Sequence, residues 1–110
     1  MRISDVPFGV TEWNALPETT TPGATGTVSQ RLFEQGNLRV RMVRYSPGYL
    51  ADHWCTRGHV LLVLEGELVT ELADGSRHEL RAGMSYQVAD EAAPHRSRTG
   101  TAGATLFIVD

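Results

Sequence analysis

From Val28 to the end of the chain, no apolar segment runs long before a turn signal cuts it: Gly36-Asn37, Pro47-Gly48, Gly58, Asp74-Gly75, Gly83, Pro94 and Gly100 to Gly103. Segments that short leave no room for a helix of ordinary length, and turn signals at roughly 8–12-residue spacing are the mark of a sandwich or barrel of many short strands. The residues between the signals agree. Leu38, Val40 and Met42 alternate with Arg39 and Arg41, the period-two pattern of a half-buried strand. Gln30 to Phe33 pairs naturally with Leu38 to Tyr45 across Glu34-Gln35-Gly36-Asn37, and Glu67 to Leu72 with Arg77 to Leu80 across Asp74-Gly75, a strong hairpin signal. Further strands are expected at His59 to Leu64, Ser85 to Val88, His95 to Thr99 and Thr105 to Val109, with a short piece around Asp52 to Cys55.

Residues 1–27 read differently. Pro7, Pro17 and Pro22 with Gly9, Gly23 and Gly26 forbid a long helix, and Phe8, Val10 and Trp13 are too few for a core of their own. They suit an extended arm lying across a body made by residues 28–110. At 110 residues this is one domain with one modest core.

Composition excludes several classes of function. The net charge of −3 argues against a nucleic-acid partner, which wants a basic face. All ten basic residues are Arg, so lysine Schiff-base chemistry and a Walker-type phosphate loop are absent. The longest purely apolar run, Val60 to Leu64, is too short to cross a bilayer, and no signal-peptide pattern follows Met1-Arg2. Cys55 is the only cysteine, so no intrachain disulfide forms and a cytoplasmic location is the expectation.

The chemistry sits in the histidines. His53 and Cys55, two apart on a strand, leave one face with Cα atoms roughly 7 Å apart. His59 opens the next strand after Gly58, and His95 opens another after Pro94. Imidazole and thiolate are the donors that Zn, Fe, Ni and Co favour. An antiparallel barrel is the arrangement that brings donors from several strands to one ion. His78 matches no such position and reads as solvent-facing. Arg39 and Arg41 read first as a solvated strand face and second as a receptor for a substrate carboxylate. Trp54 has the opposite parity to His53 and Cys55 and is expected to pack outside the cavity. Tyr49 and Tyr86 are placed to line the cavity or pack at its rim. Glu65 falls at the start of a turn and on the His59 parity, so it reads as a turn residue before a base beside the ligands.

The run Gly48-Tyr49-Leu50-Ala51-Asp52-His53-Trp54-Cys55-Thr56-Arg57-Gly58-His59, with Gly66 beyond it, resembles the first cupin motif. Cys55 stands where that motif has its second His, His59 stands where it has Glu, and the spacing from Gly48 to His53 is one residue short. Gly83 to Ala89 with Pro94-His95 resembles the second motif, with Ala89 in place of Pro and one extra residue before the His. Asp52-His53-Trp54-Cys55 is similar to the signature of a group of small cupins named for a DHCW motif. The resemblance implies an all-β fold, the double-stranded β-helix or jelly-roll barrel, with the N-terminal arm. It also implies one divalent transition metal (Zn, Fe, Ni, Co or Mn) on His53, Cys55, His59 and His95. Two functions stay open. One is a metal-dependent enzyme, dioxygenase- or isomerase-like, acting on a small polar metabolite. The other is a non-catalytic small-molecule or metal-binding module.

Val60, Leu62 and Leu64 alternate with His59, Leu61 and Val63, so both faces of one strand are apolar and both need cover. A homodimer is the expectation.

Overall fold

The structure, a computed structural model, describes residues 2–110. It contains eight strands and a single 3₁₀ turn at Trp13–Ala15. The strands are β1 (Thr19–Pro22), β2 (Thr27–Gln35), β3 (Leu38–Tyr45), β4 (His59–Leu72), β5 (Arg77–Arg81), β6 (Ser85–Val88), β7 (His95–Arg98) and β8 (Ala104–Val109). All pairings are antiparallel, and the main path runs β1-β2-β3-β8-β4-β5, with β6 and β7 also on β4. No helix among the described residues is long and apolar enough to cross a membrane.

β4 organises the barrel. The segments His59 to Leu64 and Glu67 to Leu72, expected as two strands, are one strand of 14 residues. Its first half pairs with β6 and β8 in one sheet, and its second half pairs with β5 and β7 in the other. A register shift between Val63 and Glu65 turns the strand from one sheet into the other. Gly66, at φ 77°, makes the bend possible: a side chain there would be strained and would also strike the Gly103 carbonyl.

Alternation fills the interior. Val43, Leu61, Val63, Leu68, Leu80, Ala104, Leu106 and Ile108 form one buried cluster. These strands supply every second residue to the inside, as the pleat requires.

On β3 the inward set is not the apolar one. Arg41 stands opposite Ile108, and Val43 opposite Leu106, so Arg41 shares the inner face with Val43. Val40 and Met42 face outward, against Val109 and Phe107. The outer face is apolar because the N-terminal segment lies on it: Trp13 meets Phe107 edge-to-face, ring centroids 6.2 Å apart. An alternating strand with one apolar face does not reveal which face is inside when a second layer covers the outside. β1 also comes from this segment and pairs with β2, from Thr19↔Gln30 to Pro22↔Thr27.

On β4, His59, Leu61 and Val63 point inward, while Val60 and Leu64 point outward at 43% and 40% exposure.

Candidate metal centre

Three side chains converge inside the barrel. One donor atom from each of Cys55, His59 and His95 lies within 4.8 Å of the other two.

The backbone explains the convergence. The chain from Tyr49 to Cys55 runs along the free edge of β7, with Leu50 bridging Arg98 and Cys55 bridging His95. The Cys55 N–H donates to the His95 carbonyl at 2.7 Å, and the His95 N–H to the Cys55 carbonyl at 3.0 Å. Two residues that exchange both bonds stand directly opposite and send their side chains to one face, with Cα atoms about 5.5 Å apart. The thiol and the imidazole therefore emerge together.

His59 arrives from the other sheet, and Gly58 sets its position. The Gly58 N–H donates to Asp90 Oδ1 at 2.6 Å. A Cβ on Gly58 would come within 2.5 Å of the Asp90 nitrogen, 2.7 Å of the Ala89 carbonyl carbon and 2.8 Å of the Val88 oxygen. Only glycine lets the chain pass the β6–β7 connection so closely as β4 begins.

The hydrogen bonds define the ring faces. His95 Nδ1 lies 2.8 Å from the Ala93 carbonyl oxygen, which can only accept, so Nδ1 carries the proton and Nε2 presents its lone pair. His95 Nε2 and His59 Nε2 face each other at 3.2 Å, and Tyr86 Oη lies 3.0 Å from the latter. An ion about 2.0–2.1 Å from each of two tetrahedral nitrogens holds them about 3.3–3.4 Å apart, so the observed separation fits a shared ion with little movement. Burial, together with the neighbouring His95 and Arg41, lowers the pKa of His59 to about 4. His59 is therefore neutral at pH 7 and free to coordinate. Its Nδ1 is buried with no partner.

The centre opens into a cavity of about 190 Å³ lined by Gln30, Arg41, Tyr45, Tyr49, Tyr86 and Ser97 among others. Tyr45 and Tyr49 stack there, centroids 4.2 Å apart and planes 20° apart. Burial raises the pKa of Tyr45, Tyr49 and Tyr86, so all three phenols stay protonated and can donate. His95 and Tyr86 also border a second cavity of about 240 Å³ between Thr70, Leu72 and Val88.

The other residues singled out in the sequence fall as follows. His53 lines the same cavity but stands outside the three-residue cluster, its side chain 73% exposed. Residues 52–53 form a bend rather than a strand, so the strand period does not relate His53 to Cys55. The ring donates from Nδ1 to Asp52 Oδ1 at 2.6 Å, which leaves Nε2 free and holds the Asp52 carboxyl below its usual pKa. Trp54 lies outside, under the Arg96 guanidinium at 4.8 Å. Tyr49 and Tyr86 line the cavity. Glu65 is exposed on an outer groove with Arg44 and Thr105, because the irregularity after Val63 breaks the parity it shared with His59. His78 is exposed. Arg41 and Gln30 are the cavity residues that alternation hid.

No protein-family model and no curated protein sequence matches the chain. Solved structures do. A sugar phosphate isomerase of the cupin superfamily from Silicibacter pomeroyi matches at TM-score 0.71 and 20% identity, over 92% of this chain and 74% of that one. This chain has the cupin fold. An Fe(II)-HppE structure matches at TM-score 0.74 and 16% identity, over 94% of this chain, which spans 60% of that larger one. A protein from Neisseria meningitidis matches at TM-score 0.60 and 23% identity, over 73% of this chain and 79% of that one. At these identities the likeness concerns the cupin barrel, and function must be argued from the residues inside it.

Proposed function

We propose that this cupin is a metal-dependent enzyme that holds one divalent transition metal on Cys55, His59 and His95 and acts on a small polar metabolite inside the barrel. The observation that carries the reading is the cluster itself: three soft or borderline donors within 4.8 Å of one another, facing a cavity. Three protein donors leave a fourth position for water or substrate, the pattern of catalytic rather than structural sites. When bound, such an ion polarises a substrate oxygen or lowers the pKa of a bound water. The residues supply the rest. Ala93 fixes the His95 ring, Tyr86 offers a phenol proton beside His59, and Tyr45 and Tyr49 wall off the interior. The Asp52-His53-Trp54-Cys55 run supports placing the chain with the DHCW group of small cupins.

A second reading is a closed, non-catalytic site with His53 as fourth donor. It is favoured by the place of His53 on the same cavity and its free Nε2. Metal analysis of protein purified without a His tag, followed by azide titration of the cobalt form, separates the two. The open site predicts about one metal per protomer and an azide-dependent spectrum. A full site that ignores azide favours the second reading, and a protein that takes up no Zn, Fe, Ni, Co or Mn contradicts both.

We further propose that two copies pair through the outer sheet face. Val60 and Leu64 stay 43% and 40% exposed there, and Phe8 and Val10 on the N-terminal segment are almost fully exposed. Fully burying an exposed aliphatic side chain contributes about 1.5–3 kcal/mol, and covering the exposed two fifths of Val60 and Leu64 contributes the corresponding fraction. Val60→Glu should therefore shift the protein from dimer to monomer in light scattering. An unmodified protein that is monomeric at tens of micromolar would contradict the pairing.

A further inference from the structure

Arg41 is a charged residue pointing into the interior of a small barrel. It shares an inward row with Ile108, Leu61 and Tyr86, paired successively across β3, β8, β4 and β6. Its side chain is only 17% exposed, and its Nε is buried with no partner. Asp110 holds one edge of the guanidinium, with Oδ2 3.4 Å from Nη2 and 3.8 Å from Arg57 Nη1. The Asp110 contact holds the Arg41 guanidinium through Nη2 and leaves Nε unused.

The cavity offers this cation no other counter-charge. Its lining contains Arg41, Arg96, His53 and the metal cluster, and no Asp or Glu; Arg96 has its own counter-ion in Glu71 at 3.7 Å and lies over the Trp54 ring. Burying a guanidinium donor without an acceptor is unfavourable, so the site is suited to a ligand that brings the acceptor. Size narrows the class further. A cavity of about 190 Å³ lies below the usual range for drug-sized ligands, which favours a small molecule. The planar Arg41 guanidinium matches the planar, two-oxygen geometry of a carboxylate.

We propose that the cavity is the binding site of a small organic acid, whose carboxylate lies on Arg41 while an oxygen at its other end faces Cys55, His59 and His95. Gln30, Tyr49 and Ser97 line the space between and supply neutral hydrogen-bonding partners. The proposal rests on the metal-site reading for the far end of the ligand and on Arg41 alone for the near end. Arg41 also contributes to lowering the pKa of His59, so its charge is felt at the metal site.

The test titrates lactate and pyruvate against their neutral amides, lactamide and pyruvamide, with metal content measured on the same sample. Calorimetry is run on the metal-loaded and metal-free protein. The acids should bind about tenfold or more tightly than the amides, as charge-assisted hydrogen bonds exceed neutral ones. Arg41→Gln should abolish that preference with metal content unchanged, and Arg41→Lys should restore part of it. If the protein takes up no metal, the metal reading fails, but the acid-over-amide preference should persist at lower affinity. Equal binding of acids and amides, no binding of either, or an unchanged preference in a folded Arg41→Gln variant overturns the proposal. If Arg41→Gln does not fold, the acid-to-amide comparison on the unmodified protein decides.

Discussion

Replacing His95 with alanine will leave a folded barrel that binds divalent metal at least about tenfold more weakly than the unmodified protein. A donor is lost outright, and losses of that order follow even the removal of groups that merely orient a donor. The backbone reason for a folded product is that Cys55 and His95 are bound to each other through main-chain groups, at 2.7 and 3.0 Å, which the substitution leaves in place. The imidazole is 3% exposed, so its removal creates a void against Tyr86 and His59 and some loss of stability is expected. His95→Gln, which fills more of that void, separates the two effects: stability should recover while metal affinity does not. Calorimetric titration with zinc, beside a thermal melt of the metal-free variants, measures both.

Gly58→Ala will destabilise the fold and weaken the metal site together. The added Cβ meets three backbone atoms of Val88, Ala89 and Asp90 at 2.5 to 2.8 Å, and backbone cannot rotate away as a side chain can. Overpacking in a well-packed region costs about 1–3 kcal/mol, and the variant also strains the Gly58 N–H bond to Asp90, so the upper end of that range is expected. His59 follows directly in the chain, so relief by moving β4 displaces a donor. A denaturant melt should show a clear drop in midpoint, together with weaker metal binding. A melt identical to that of the unmodified protein would mean that the β6–β7 connection is free to move, and Gly58 would lose its part in placing His59.

The parts of the fold that were legible in the sequence are those decided locally. The Gly36-Asn37 and Asp74-Gly75 turns joined the strands they flank, because turn chemistry is written in the turn residues themselves. His59 and His95 met, and Cys55 joined them. What was not legible depends on a second layer or on a broken period. β3 reads as a strand with Val40 and Met42 inside, but Trp13 covers that face from outside and Arg41 takes the interior. Glu65 shares its parity with His59 on paper, yet the shift after Val63 sends it to the surface. His53 and Cys55 share a face only on a regular strand, and the Asp52-His53 bend is not one. Each of these is a two-residue period carried past the point where the backbone stops obeying it.

Whether Cys55, His59 and His95 hold one metal ion is decided by a cobalt(II) titration followed by absorption. Saturation is expected at about one equivalent per protomer, with a thiolate-to-metal charge-transfer band in the near ultraviolet that Cys55→Ser removes while the fold persists. A protein that binds no cobalt, or binds it with no such band, would contradict the assignment of Cys55 beside the two histidines.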